Sequence, residues 1–259
     1  MKSASSGLLE LKQVSNENLE HGPLPSQRGV VVIPAYNEAE NLLLLIPRLR
    51  ALYPEMDVLV VSDGSTDETE KVVSQFRVRL LSLHCNLGVG GAVQTGLLVA
   101  AREKYDFAIQ LDGDGQHPPE EISKLLNALG QSGSDMVVGS RFLQPEGFQS
   151  TRSRRVGIQL FSWMLSALCD VKITDPTSGF RIWNRKAIEV LSCNYSEDYP
   201  EVEAILILRQ ANLRISEVPI KMLPRARGRS SIGSMEAFAY MIKVPLAILM
   251  NVLRKREAR

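Results

Sequence analysis

Two carboxylates one residue apart, Asp112 and Asp114, close a short apolar run and are separated by a glycine. Glycine lets backbone approach a ligand, and hard carboxylate oxygens suit Mg²⁺ or Mn²⁺, so Asp112-Gly113-Asp114-Gly115-Gln116-His117 has the chemistry of a divalent-cation site. Gln116 can add a third oxygen. A cation held there can bridge two phosphates and neutralise charge on a departing nucleoside diphosphate. The plainer alternative is a turn that caps a helix beginning at Pro118-Pro119. Two more polar clusters weigh against it: Pro34-Ala35-Tyr36-Asn37-Glu38 and Ser62-Asp63-Gly64-Ser65-Thr66-Asp67, each of which also closes an apolar run. Asp63 can accept hydrogen bonds from a base or ribose, Tyr36 offers a flat face to a base, and Glu38 an acceptor for ribose hydroxyls. Asp67 is better placed to cap the next helix, and His117 reads either as a neighbour of the metal or as a structural hydrogen-bonding residue.

The elements that must position these clusters follow from hydrophobic periodicity. Apolar, β-branched runs at 29–33, 58–61, 78–83, 107–111 and 136–138 predict strands. Segments of helical period at 38–52, 67–76, 91–104 and 119–129 lie between them. Continuous apolar strands alternating with helices predict an α/β fold, its mostly parallel sheet flanked by helices on both faces. In open sheets of this kind ligands bind beyond the carboxyl ends of the strands, where all three polar clusters stand. The second half is less regular: helices at 152–168 and 199–211, a turn-rich loop at 175–180, a strand at 214–222 and a final apolar helix at 235–256.

Composition excludes several classes. Lys and Arg number 30 against 29 Asp and Glu, a formal net charge of +1, which does not support general nucleic-acid binding. Cys85, Cys169 and Cys193 are odd in number and widely spaced, which argues against a disulfide framework or zinc site and fits a reducing compartment. Residues 1–27 are polar, with no apolar signal core, and predict a loosely ordered leader. No run of about 20 uninterrupted apolar residues predicts a transmembrane helix. Gly88-Val89-Gly90-Gly91-Ala92 fails the dinucleotide fingerprint, because Val93 stands where its third glycine belongs and the segment follows the third strand, not the first. A glycine-rich helix start of this kind can still seat an anionic group.

Basic residues stand where an acceptor would sit. Arg141 follows the fifth strand, Arg152, Arg154 and Arg155 open a helix, and Arg225, Arg227 and Arg229 lie in a Gly/Ser-rich loop. Arginine suits bidentate phosphate recognition, with Arg141 and Arg229 the best candidates. The final helix ends in Arg254-Lys255-Arg256, a pattern that fits an interfacial helix on anionic lipid, or else one packed on the domain or in a homo-oligomer interface.

Taken together the motifs resemble glycosyltransferase family 2, in its polyprenyl-phosphate (dolichol-phosphate mannosyltransferase-like) branch. The resemblance runs from about Val30 to Ile232 and rests on I-P-A-Y-N-E (33–38), S-D-G-S-T-D (62–67), N-L-G-V-G-G-A (86–92), L-D-G-D-G-Q-H (111–117), G-S-R-F (139–142), D-P-T-S-G-F-R (175–181), E-V-P-I (217–220) and G-R-S-S-I (228–232). It implies a GT-A catalytic domain over 28–232, with 233–259 as an amphipathic C-terminal helix for a membrane surface or a small membrane-protein partner. It also implies a UDP- or GDP-sugar donor, Mg²⁺ or Mn²⁺, and a polyprenyl (undecaprenyl or dolichyl) phosphate acceptor, at the cytoplasmic membrane face.

Carried over by position, Pro34, Tyr36, Glu38, Asp63 and Gly91 would line the donor nucleotide, and Asp112, Asp114 and Gln116 would hold the metal. Arg141 and Arg229, with Arg155 behind them, would meet phosphates, and Asp175 would line the acceptor side. Members usually invert the anomeric centre, and an anionic phosphate acceptor needs little base. A sugar-hydroxyl acceptor would need one, first sought at Glu201 or Glu203. The alternatives are a transferase acting on a growing saccharide and a silent nucleotide-sugar-binding scaffold. Two departures stand out: Ser62 occupies the place of a frequent aspartate, and the transmembrane helices that often follow the catalytic domain are not seen in this sequence.

Overall fold

The computed structural model describes residues 27–144, 152–169, 171–195 and 200–224. The leader up to residue 26, the basic loop from Arg225 to Arg229 and the final helix at 235–256 lie outside the described residues.

Seven strands form one sheet in the order β3-β2-β1-β4-β6-β5-β7. They are β1 (Gly29–Ala35), β2 (Asp57–Ser62), β3 (Arg79–Ser82), β4 (Phe107–Gln110), β5 (Met136–Ser140), β6 (Arg181–Asn184) and β7 (Ile215–Pro219). Neighbours pair in parallel except β6, which runs antiparallel to both β4 and β5. The carboxyl ends of the other six strands therefore share one edge, and the start of β6 joins them there.

The five inner strands bury both faces, as a doubly covered sheet requires, while β3 and β7 at its ends are only partly covered. Along β1, Val30 and Val32 enter one core cluster while Val31 and Ile33 enter the other. All four are at most 1% exposed, and each such burial contributes about 1.5–3 kcal/mol. Helices α3 (Gly88–Arg102), α5 (Arg152–Cys169), α6 (Arg185–Asn194) and α7 (Pro200–Gln210) supply residues to the first cluster. Helices α1 (Ala39–Leu52), α2 (Thr69–Val73) and α4 (Ile122–Ser132) supply the second. The apolar face expected for α1 is the buried one: Leu42, Leu45, Ile46 and Leu49.

Several boundaries differ from expectation, each for a local reason. Helix α3 starts at Gly88 rather than 91, because Asn86 Oδ1 accepts the Gly88 amide at 3.0 Å and Asp63 Oδ1 accepts the Leu87 amide at 2.7 Å. The glycine-rich stretch is thus the first turn of a helix, entered through two side-chain acceptors. Residues Pro119–Glu121 form a 3-10 turn before α4 takes over. The largest miss is the β6–α6 unit, where Ile182 and Trp183 are the only apolar residues of a four-residue strand. So short an apolar run carries no periodicity of its own.

Candidate active site

The three polar clusters meet at the carboxyl edge. Asn37 Oδ1 accepts the amides of Thr66 and Asp67 at 2.8 and 3.2 Å, which ties the loop after β1 to the loop after β2. Asn37 holds a positive φ of 57° there, a conformation asparagine tolerates better than most residues. Asp67 caps as expected: Oδ1 accepts the Thr69 amide at 2.9 Å and Oδ2 the Ala39 amide at 3.3 Å, covering the starts of both α2 and α1. The turn after β4 lies against the end of β1. A Cβ on Gly113 would stand 3.1 Å from the Pro34 carbonyl oxygen and 3.6 Å from Glu38 Cγ. A side chain at 113 would therefore crowd the backbone of β1, which glycine avoids.

The donor-side residues differ in what they offer. Tyr36 is 44% exposed, an open ring at the rim. Glu38 is half-buried and Oε2 accepts from Asn41 Nδ2 at 2.5 Å. Asp63 is buried and one of its oxygens is committed to the Leu87 amide; burial pushes its carboxyl up. Pro34 is buried in β1, and Gly91 is buried in the first turn of α3, where a Cβ would collide with Leu87.

At the acidic turn, Asp114 is buried and its Oδ1 accepts the Gln116 amide at 3.0 Å. Gln116 Nε2 donates to the Leu223 carbonyl at 3.3 Å, and the Leu223 amide donates back to the Gln116 carbonyl at 2.8 Å. The chain that continues to Arg225 thus leaves from beside this turn. Asp112 receives Gln110 Nε2 on Oδ1 at 3.1 Å, and about a third of its side chain, 32%, is open. Burial pushes the Asp112 carboxyl up, the nearby His117 ring opposes the shift, and the charge of Asp114 adds to it. His117 is itself pushed down by burial, against the pull of Asp112 and Asp114. Its Nε2 stands 3.8 Å from Asp112 Oδ2, and its ring stacks on Phe180 at 5.0 Å.

Arg141 and Asp175 come together, but with each other. The guanidinium grips the carboxylate twice, Nε to Oδ2 at 2.5 Å and Nη2 to Oδ1 at 2.6 Å, and Asp175 is fully buried. Nη2 also donates to Thr177 Oγ1 at 3.0 Å. Asp175 therefore acts in this structure as the anchor of Arg141, and its carboxylate lines no open surface. Arg155, which is exposed, stands 5.9 Å over the Phe142 ring. The side chains of Arg152 and Arg154, and all of Arg229, are outside the described residues.

Sequence reasoning missed three supports of this edge. Glu217 on β7 accepts the Thr174 amide at 2.7 Å and the Asp175 amide at 2.8 Å, and so holds the loop that carries Asp175. Arg181, completely buried, bonds three backbone carbonyls. Gln110 is a polar residue inside an apolar strand, 1% exposed, and that mismatch was its only signal.

The family model described as Glycosyl transferase family 2 matches residues 30–192. The chain belongs to glycosyltransferase family 2. The curated relatives place it near the branch its motifs resemble. Polyprenol monophosphomannose synthase of Mycolicibacterium smegmatis is 33% identical over 231 residues, spanning 85% of this chain and 86% of its own. A UDP-N-acetylglucosamine–dolichyl-phosphate N-acetylglucosaminyltransferase of Methanococcus voltae is 29% identical over 245 residues, spanning 85% and 97%. Among solved structures, glucosyl-3-phosphoglycerate synthase of Mycobacterium tuberculosis, crystallised with Mn²⁺, UDP and glucosyl-3-phosphoglycerate, superposes with a TM-score of 0.64 over 88% of this chain and 80% of its own, at 20% identity. The same enzyme with Mg²⁺ and UDP gives 0.64 at 22% identity, over 88% of this chain and 79% of its own. The fold is GT-A, and this family-2 chain is a glycosyltransferase.

The acidic turn of this glycosyltransferase fits a divalent cation by its donor chemistry. Two carboxylates crowd one turn, and the charge of Asp114 adds to burial in pushing the Asp112 carboxyl up, a pairing of hard oxygen donors that a divalent cation would relieve. Among the described residues no group of three or more His, Cys, Asp or Glu is arranged to hold a metal. The protein's share would be two carboxylates and the Gln116 amide oxygen, with phosphate and water completing roughly six oxygens.

Proposed function

We propose that this enzyme transfers a hexosyl or N-acetylhexosaminyl group from a UDP- or GDP-sugar to a polyprenyl phosphate, with inversion, using Mg²⁺ or Mn²⁺ at Asp112, Asp114 and Gln116. The observation that carries this is the acidic turn pressed against the loop after β1, with Gly113 at the Pro34 carbonyl, on the edge where donor-side residues converge. The names of the curated relatives support the acceptor class. Bound at this turn, a divalent ion would neutralise charge on the departing nucleoside diphosphate.

The side chains then divide the work. Tyr36 receives the base on its open face, Glu38 takes ribose hydroxyls, and the remaining oxygen of Asp63 faces the nucleoside. Arg141, fixed by Asp175, adds positive potential to the edge, while Arg155 and Arg229 receive phosphate oxygens. An acceptor phosphate oxygen attacks the anomeric carbon as the bond to the diphosphate oxygen breaks on the opposite side, which inverts the centre. The nucleophile is already anionic, so positioning and charge neutralisation replace a general base.

No helix of the described residues is long and apolar enough to cross a membrane. Peripheral attachment at the cytoplasmic face through 233–259, to lipid or a small membrane-protein partner, belongs to the same proposal, as does the division into leader, catalytic domain (28–232) and C-terminal helix.

A panel of labelled UDP- and GDP-sugars, offered with undecaprenyl phosphate in liposomes and Mn²⁺, tests it. Label should enter an organic-extractable product of inverted anomeric configuration and vanish on chelation. Label entering only a water-soluble saccharide would transfer the reading to a hydroxyl acceptor, with Glu201 or Glu203 on the first turn of α7 as base. No donor consumption with any acceptor would end it.

A further inference from the structure

The Asp112 carboxylate is braced from the far side by a loop that contributes no side chain to it. A Cβ built on Gly179 would stand 2.7 Å from Asp112 Oδ2, 3.0 Å from Oδ1 and 3.0 Å from Gln110 Nε2. Backbone at 179 thus fills the space into which the carboxylate would otherwise swing, and Gln110 Nε2 holds Oδ1 from the strand. Besides the backbone bonds at either end of the loop, Arg181 keeps that backbone there. Its Nε donates to the Ser178 carbonyl at 2.6 Å, Nη2 to the Pro176 carbonyl at 2.8 Å, and Nη1 to the Glu201 carbonyl at 2.6 Å. The first two fold the 176–179 loop back on β6, and the third ties it to the start of α7. All three acceptors are neutral, although the guanidinium is fully buried. Stability alone is poorly served by taking a cation out of water to meet carbonyls, since an apolar side chain could fill the volume without the desolvation cost. A planar fork that reaches three carbonyls at once does set a loop's position, which lysine cannot match.

We infer that Arg181 is a positioning residue for the metal-binding carboxylate: by clamping Pro176, Ser178 and Glu201 it holds the Gly179 backbone against Asp112 and so fixes its rotamer before the cation arrives. This rests on the proposed metal site at Asp112 and Asp114.

The test measures Mn²⁺ binding to the purified full-length chain directly, by the loss of the free-ion electron paramagnetic resonance signal, alongside steady-state transfer. Gly179→Ala, Arg181→Lys and Arg181→Met are compared with the wild type, with folding followed by circular dichroism and melting. Gly179→Ala should weaken Mn²⁺ binding at least tenfold in a folded protein. Arg181→Met should weaken it as much, and Arg181→Lys by an intermediate factor, while the KM for donor at saturating Mn²⁺ changes less than threefold. Should Arg181→Met fail to fold, Gly179→Ala and Arg181→Lys decide. Folded variants that bind Mn²⁺ within twofold of wild type would overturn the inference while leaving the metal site intact. Wild-type protein that binds no Mn²⁺ would instead overturn the site itself.

Discussion

The two edges of the sheet treat the same residue type in opposite ways. At the amino edge, Arg28 Nη2 meets Asp57 Oδ2 at 3.0 Å, the Tyr105 hydroxyl donates to the same oxygen at 2.6 Å, Arg79 meets Glu103 at 2.7 Å and Arg185 meets Asp106 at 2.8 Å. Every one of these acids has a cation. Burial works against the charge of Asp57, yet the hydrogen bonds from Tyr105 and Arg28 hold its carboxyl below the ordinary value, and Arg79 does the same for Glu103. At the carboxyl edge Asp175 has Arg141, but Asp112 stands beside Asp114, the His117 ring and the Gln110 amide. Burial, with the charge of Asp114, pushes its carboxyl up although His117 and Arg141 oppose the shift. At the amino edge arginines favour the charged carboxylates; at Asp112 burial and a second carboxylate work against the charge. A carboxylate perturbed in that way, at the edge where ligands of such sheets bind, marks a candidate site.

The comparison breaks or sharpens under mutation. The largest effect is expected for Asp114→Ala, which should lower transfer roughly 10³-fold, about 4 kcal/mol of barrier, in a protein whose circular dichroism is unchanged. Activity within tenfold of wild type would remove the carboxyl edge from the chemistry. Next, Mn²⁺ should raise the melting temperature of the wild type and not of Asp112→Asn, and chelation should abolish transfer reversibly; equal shifts in both proteins would place the ion elsewhere.

Stability should separate the edges as well. Asp57→Asn removes the carboxylate partner of Arg28 and is expected to cost about 1 kcal/mol with kcat and KM unchanged. Asp112→Asn should cost less than that while silencing the enzyme, as measured by urea unfolding. The reverse order would mean that the acidic turn is structural. The smallest effect lies at high pH. Burial first, and for Tyr105 its bond to Asp57 next, push the phenols of Tyr53 and Tyr105 up to about 12, against about 10 in an unfolded chain. Between those values the unfolded chain loses protons that the folded one keeps, so stability falls as pH rises through that window. Burial pushes the Tyr195 phenol up as well, so ultraviolet titration should show at least three tyrosines ionising late; uniform titration near pH 10 would contradict it.

Much of this was legible in the order of residues. Strands read as unbroken β-branched runs because the sheet is covered on both sides, and a doubly buried strand has no polar face to interrupt it. The acidic turn and the loops after β1 and β2 were legible because ligand-binding residues of such sheets cluster at strand ends. Strand β6 was not, since its pairing with β4 and β5 is what makes Arg181–Asn184 a strand at all. Asp175 showed as a conspicuous polar residue in a loop, but not that Arg141, 34 positions earlier, would take both its oxygens.

The amino-acid sequence by itself determined the family, the alternation of strand and helix, and the acids at 112 and 114, because periodicity and short motifs are properties of near neighbours along the chain. Only the tertiary structure decided which acids meet an arginine and which crowd one another. Gly179 against Asp112, Arg181 against three carbonyls and Glu217 against the Asp175 loop are contacts between distant segments, and a carboxylate's pKa and orientation depend on those neighbours in space.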